Sequence, residues 1–392
     1  MCDLNLKILG GIRLGENMQS YHYVPVLRWK KGELDALKDL EPLRRNSIMP
    51  LIQPVGYDLH PELIKVPIEK MSERYFELMG KKVDALYKSW GQNPIFVDGE
   101  YLEVLGRLID TKYMVDVMLY HCREKGIPVV PITGLGRSPL YQESIQSNIR
   151  IDSNGTAIRT NINELSNGSF SSQLMSLMRT NYVSPSNVDI ILDLGLMHKA
   201  ENQVDISQFL PLIPLLHEWR SLIMIGGSFP KDLGGLSLGR NKVPRIDLNY
   251  WQNSVKISPN IGRIPTYGDH ATQHPVIGPI VNFPPSASIR YASEGYWLVM
   301  KGQAPSRRAP GEAKHSHQYC GHCVLLVGLP EYSGPHYSAA DKFIFDKQYD
   351  YEHPGSTTNW VSVGVGRHIA MSIDQVSKVV GVPAVSVDKV AI

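Results

Sequence analysis

A chain of 392 residues is long enough for a barrel-sized domain of about 250 residues with an appendage of about 100. Its 43% apolar and 20% charged residues allow a large core, and 40 basic against 38 acidic residues give no global drive toward nucleic acid or an anionic membrane. No run approaches the ~20 apolar residues of a membrane span; four cysteines make no disulfide framework, and Met1-Cys2-Asp3 opens no cleavable signal, so a reduced, cytoplasmic protein is expected.

Residues 1–20 carry no clear pattern and read as an N-terminal arm. From there, short apolar runs lead repeatedly into polar or glycine residues. The first is 23–27, into Arg28-Trp29-Lys30, followed by the amphipathic Gly32–Leu40 with Leu34, Leu37 and Leu40 on one face. The second, 48–52, runs into Gln53 and precedes a long helix over 68–90. The third, 94–97, runs into Asp98-Gly99-Glu100, with a helix over 103–125 that stops before Gly126-Ile127-Pro128. The fourth, 128–132, runs into Thr133-Gly134, the fifth, 156–158, into Arg159-Thr160-Asn161, and the sixth, 188–192, into Asp193; helices are expected near 135–148, 162–180 and 207–220. Pro211 and Pro214 should shorten or kink the last of these. The seventh run, 221–225, ends in Gly226-Gly227-Ser228, and an eighth at 263–266 leads into Tyr267-Gly268-Asp269.

Unalternating β-branched runs are the mark of strands buried on both faces. Eight of them, mostly separated by helices, predict an α/β fold: a (β/α)8 TIM-like barrel over 21–275. Beyond it, Ser293-Glu294-Gly295 marks a hairpin, 319–328 and 366–380 read as helices, and 231–240 and 302–314 as glycine-rich loops. Residues 276–392 thus form a C-terminal hairpin-plus-helix appendage, expected to cover one mouth of the barrel.

In such barrels chemistry gathers at the carboxyl ends of the strands. The residues there are Lys30, Gln53, Asp98, Glu100, Arg159, Asp193, Ser228 and Asp269. Together they suit acid–base chemistry or a polar ligand, although Asp and Ser after a strand are also preferred helix caps. Gly227 and Ser228 close strand seven, where backbone amides can hold a phosphate; a tight turn explains them as well. Lys30 at the end of strand one is a position suited to a Schiff base, but with Arg28 and Lys31 beside it a basic lip is the simpler account. His315, His317, Cys320, His322 and Cys323 hold enough soft ligands for zinc or a redox dithiol, yet lack a second ligand pair and a preceding strand. Buried packing of both cysteines is the expectation, and no metal or cofactor is assigned. Arg307-Arg308 to Lys314 is a basic segment without interleaved aromatics, read as a solvated loop.

Several islands resemble one family. Tyr23-Val24-Pro25-Val26-Leu27 with Lys31-Gly32-Glu33 and Ala36-Leu37 is similar to the opening of the bacteriophage-type "beta protein" family, and Pro50-Leu51-Ile52-Gln53-Pro54 to its second strand. Ile289-Arg290-Tyr291 with Trp297 and Lys301-Gly302 resembles its late hairpin; Tyr332-Ser333-Gly334 through Asp341, then Trp360 and Arg367-His368, resembles its C-terminal block. Two positions depart from the pattern: His270 stands where an aromatic residue is expected after Gly-Asp, and Arg367 where a first of two histidines is common. The resemblance implies a phage- or prophage-linked, immunity- or defence-related protein and carries no established reaction.

The combined expectation is a phosphate-bearing or other polar ligand bound at the rim by Gln53, Arg159, Gly227 and Ser228. Arg290, Tyr291, Lys301 and His368 would reach it from the appendage. Lys30, Asp98, Asp193 and Asp269 are the candidate catalytic groups, with hydrolysis the first reaction to test. The alternative is a non-catalytic scaffold for a phage or host protein. An enzyme should gather Lys30, Asp98, Asp193 and Asp269 in one pocket; a scaffold should commit them to caps and ion pairs.

Overall fold

A computed structural model describes residues 21–56, 59–103, 114–197, 206–278, 285–305 and 314–381. The arm expected at 1–20, the first part of the helix expected over 103–125, and Arg307-Arg308 lie outside these residues.

Eight parallel strands close into a barrel. They are β1 (Tyr23–Leu27), β2 (Leu51–Ile52), β3 (Ile95–Val97), β4 (Val129–Thr133), β5 (Thr156–Asn161), β6 (Val188–Leu196), β7 (Ser221–Gly227) and β9 (Thr266–Asp269). Closure comes from Tyr23, Val24 and Pro25 pairing with Tyr267, Gly268 and Asp269. The main helices of this part are α1 (Lys31–Lys38), α2 (Met71–Trp90), α3 (Met114–Glu124), α4 (Pro139–Asp152), α5 (Phe170–Asn181) and α6 (Ile246–Ile261). The expected (β/α)8 class is therefore the observed one.

The strand sequences explain why. Side chains of a strand alternate between faces, so both faces must be apolar where both are covered. Val24, Val26, Leu51, Phe96, Ile132, Ala157, Ile191 and Ile225 point inward and form one cluster inside the barrel. Tyr23, Leu27, Ile52, Ile95, Val97, Ile158, Ile190 and Leu192 point outward into a second cluster shared with the helices. On α2, Tyr75, Met79, Val83, Leu86 and Trp90 are buried at three- and four-residue spacing, and each fully buried aliphatic side chain contributes about 1.5–3 kcal/mol. Ser138 caps α4, accepting from the Tyr141 amide (3.2 Å), with Pro139 at the first helical position.

Four elements differ from expectation. The eighth barrel strand lies three residues later, so that Asp269 sits within it and not after it; its polar appearance hid a strand paired on both sides. After Ile206–Phe209 the prolines restrict the segment to one 3-10 turn, Leu210–Leu212. The last helix starts earlier, at Thr357, because Ser356 and Asn359 form a capping box. Finally, the loop expected at 231–240 runs into β8 (Gly239–Pro244), whose mostly polar sequence gave no strand signal.

That strand ties the barrel to the appendage. β8 pairs antiparallel with β11 (Tyr296–Lys301), which pairs with β10 (Ser288–Ala292), giving a three-stranded sheet. One face, with Ile289, Tyr291, Leu298 and Met300, packs on α7 (His317–Val327), α8 (Ala339–Asp346) and α9 (Thr357–Val380). The other face sets Trp297 and Val299 against Phe229 and Val243. Val365, Ile369, Ile373 and Val376 of α9 join the outer core of the barrel, so both parts share one hydrophobic interior. Among the described residues no helix is long and apolar enough to cross a membrane.

Candidate functional site

Three strand ends bring opposite charges together. Asp98 directly follows β3 and is fully buried; Arg159 lies in β5 and Asp193 in β6. Arg159 Nη1 donates to Asp98 Oδ2 (2.7 Å), while its Nη2 and Nε donate to Asp193 Oδ2 (2.6 and 3.0 Å). Arg137, from the loop before α4, donates through Nη2 to both Asp98 oxygens (3.1 Å each) and through Nη1 pairs with Glu100. Two guanidiniums and three carboxylates thus form a continuous lattice across β3–β6. Burial opposes charge on Asp193, but Arg159 and His270 outweigh it and hold the carboxyl below the usual range.

A cavity of about 180 Å³ opens over this lattice, lined by Glu100, Tyr101, Arg137, Arg159, Asn161, Glu164 and Asp193. The Asn161 side chain is tied to the Glu164 amide (3.1 Å), and Thr160 donates to Glu164 (2.8 Å), so the wall is held from behind. Burial pushes the Tyr101 hydroxyl up, keeping it a proton donor. His270, the residue after β9, packs near Gly227 of β7, where a Cβ would lie 3.1 Å from its Cδ2, and is close enough to Asp193 and Arg159 to feel their charges. Burial, outweighing Asp193, lowers its pKa to about 4 and leaves a neutral imidazole, and its buried Nε2 has no hydrogen-bond partner among the described residues.

Asp269 belongs to a different constellation, sealed from solvent. Tyr23 donates to its Oδ1 (2.6 Å), as does the Ala271 amide (2.8 Å). On its Oδ2 stand the Tyr267 hydroxyl (2.8 Å) and His368 Nε2 (2.7 Å), with Arg245 at 3.6 Å. Trp297 Nε1, which can only donate, lies 3.0 Å from His368 Nδ1. Nδ1 is therefore the acceptor, and the ring proton on Nε2 is donated to Asp269. Tyr267 also contacts Asp247 Oδ2 (2.8 Å), and one hydroxyl proton cannot serve two carboxylates. Burial and the charge of Asp269 raise the Asp247 pKa, whereas burial at Asp269 is outweighed by His368, Arg245 and Tyr23 and its pKa falls. Asp247 is the member biased to keep the proton.

The remaining candidates are dispersed. Lys30 is exposed and its backbone N–H starts α1, donating to Glu33 Oε2 (2.8 Å). Gln53 is buried at the end of β2. Ser228 bonds Asp247 and accepts from the Ile246 amide (3.1 Å), a helix-starting contact. Gly227 is required by packing, since a Cβ there would lie 2.9 Å from Pro275. Arg290 donates to the Thr272 carbonyl (2.7 Å) and stacks on Phe229; Lys301 donates to the Leu236 carbonyl (2.5 Å). Tyr291 turns toward the appendage, donating to Asp341 Oδ1 (2.7 Å) under the Arg367 guanidinium. Lys30, Asp98, Asp193 and Asp269 are therefore not gathered in one pocket: only Asp98 and Asp193 share a partner. Cys320 and Cys323 are buried on α7, and among the described residues no three His, Cys, Asp or Glu side chains group as a metal site.

Arg137, Asp247, Tyr267 and Arg245 were not singled out from the sequence. Arg137 sits in a loop with no periodicity, and Arg245 and Asp247 follow the unrecognised β8.

These features define a class: a (β/α)8 barrel protein with a charged cavity at the carboxyl ends of β3–β6 and a polar network locked by a C-terminal appendage. More particularly, the Beta protein family model matches residues 23–374, and the chain belongs to that family. A search of curated proteins gives no match. Among solved structures, a GH138 enzyme targeting pectin rhamnogalacturonan II superposes with a TM-score of 0.37 at 10% identity, over 86% of this chain and 44% of that one. The chain thus spans less than half the length of that enzyme, and nothing about activity transfers at that level of superposition.

Proposed function

We propose that this barrel protein binds a small polar ligand, neutral or cationic and rich in hydroxyl or amino groups, in the cavity over β3–β6, and that it acts in phage–host conflict. The observation that carries the binding reading is Arg159 bridging Asp98 and Asp193 beside that cavity. Glu100, Glu164 and Asp193 line it against Arg137 and Arg159, and both guanidiniums already have carboxylate partners. A phosphate would have to displace Glu100 from Arg137 or Asp193 from Arg159 and then stand beside the carboxylates that remain. A hydroxyl or ammonium group meets acceptors without that rearrangement. The phage setting is carried over from the resemblance to the bacteriophage-type family, whose match covers residues 23–374. Hydrolysis is the second reading, with the neutral imidazole of His270, near enough to Asp193 to feel its charge, as the proton acceptor, a weak one at a pKa of about 4.

The test is a thermal-shift screen of sugars, polyols and amines against their phosphorylated counterparts, followed by calorimetry. Neutral or cationic compounds should raise Tm, and Asp193→Asn should weaken the best of them by about tenfold or more, equivalent to ~1.4 kcal/mol. Shifts confined to phosphorylated compounds, or binding indifferent to Asp193→Asn, would overturn the reading. Mass analysis of recovered ligand reads out hydrolysis. Plaquing efficiency on cells expressing the wild type, compared with Asp193→Asn, reads out the phage role.

A further inference from the structure

We propose a second binding site, on the outside of the barrel: the groove between α1 and α2 takes a monomeric amphipathic anion, a carboxylate or phosphate carried on an apolar body. The cavity there has a volume of about 520 Å³, within the roughly 300–1,000 Å³ of small-molecule sites. Its apolar wall is Trp29, Leu34, Leu59 and Leu78. Around it stand Lys31, Lys38, Lys81, Lys82 and Lys88.

The sequence makes this patch by simple periodicity. Residues seven apart share a helix face. Lys31 and Lys38 are so related on α1, and Lys81 and Lys88 on α2. Leu78 and Ala85 fall on that same stripe of α2, beside the buried face of Tyr75, Met79 and Val83. The two carboxylates in the lining are already engaged: Asp35 with Lys31 (2.7 Å), and Glu62 with Lys65 (2.6 Å) and Arg74 (3.2 Å). In a chain with 40 basic and 38 acidic residues, five lysines around one apolar groove are a local concentration.

Trp29 supplies a separate observation. It holds φ at 60°, a left-handed conformation that bulky residues rarely adopt and that concentrates at ligand sites. Its indole N–H is buried with no acceptor among the described residues, an arrangement folded chains normally avoid. Lys82 Nζ lies 5.4 Å from its ring centroid, which brings positive charge to the apolar wall. An inorganic anion would meet only the charged edge, and a neutral apolar molecule only the floor at Leu78 and the lysine methylenes. Only a molecule with both parts uses the whole groove.

Octanoate is a direct probe, with acetate and sub-micellar octyl glucoside as controls, measured by calorimetry on the full chain. Octanoate should bind, and each control should bind at least about tenfold more weakly, since the lysines and the apolar wall act together. Lys81→Glu with Lys88→Glu should weaken octanoate at least about tenfold and flatten its salt dependence. Ala85→Trp, at an exposed helical position, should block the groove with every lysine in place. Circular dichroism and Tm establish that both variants fold. No octanoate binding by the wild type, equal binding of octyl glucoside, or unchanged octanoate binding in both folded variants would overturn the proposal.

Discussion

The rim over β3–β6 and the network around β9 are built from the same side-chain types, yet one borders an open cavity and the other is sealed. At the rim, Arg159 spans Asp98 and Asp193, and the Asp193 side chain keeps 20% of its surface exposed. At β9, Asp269 keeps 1%, enclosed by Tyr23, Tyr267, His368 and, across His368, Trp297. What separates them is the appendage, which brings α9 and β11 to β9, while no described residue of the appendage lines the cavity over β3–β6. An acidic residue at a barrel strand end thus lines an open cavity or serves as a locking element according to what a distant segment places on it.

The largest expected effect tests the sealed side. Asp269→Ala should cost about 3–5 kcal/mol in urea unfolding, because it strands His368 and Arg245 in the interior. Asp193→Ala at the rim should cost less, about 1.5–3 kcal/mol, since Arg159 keeps Asp98. Equal costs would erase the distinction between the two regions.

Next comes acid sensitivity. The folded pKa of His270 is depressed to about 4, so the unfolded chain binds its proton first, and stability falls as pH drops from about 6.5 toward that value. Asp269 and Asp193 are also depressed, but as acids they contribute stability above about pH 4 that is lost below it. His270→Phe, which places an aromatic residue after Gly-Asp, should flatten the upper window and keep most of the lower one, where Arg159 still holds Asp193 down and His368 and Arg245 hold Asp269 down. Urea midpoints between pH 7 and 3 check this, and an unchanged upper slope would remove His270 from the account. The smallest effect belongs to Lys30→Ala: exposed at the start of α1, it should change stability by no more than about 0.5 kcal/mol. A loss of ligand binding with it would join Lys30 to the rim after all.

Much of the barrel was legible because its evidence is local. Runs such as Tyr23–Leu27 and Val129–Thr133 are apolar on both faces, and a strand buried on both faces must be so wherever it lies. The position of β8 was not legible, because Gly239–Pro244 is largely polar and is a strand only through its pairing with β11. The sites divide in the same way. Strand-end position alone identified Asp98, Arg159, Asp193 and Asp269, and family resemblance pointed to His368. Arg137, Tyr267 and Asp247 carried no pattern, since a loop arginine or a strand tyrosine looks the same whether or not a carboxylate faces it.

By itself, then, the sequence determined the barrel, the family and the ring of strand ends, all properties of residues close together along the chain. Only the tertiary structure decided which charges meet. Arg159 reaches Asp98 across 61 residues, and His368 reaches Asp269 across 99. Side-chain pairing at such separations depends on closure of the barrel and docking of the appendage, and neither leaves a trace in local spacing.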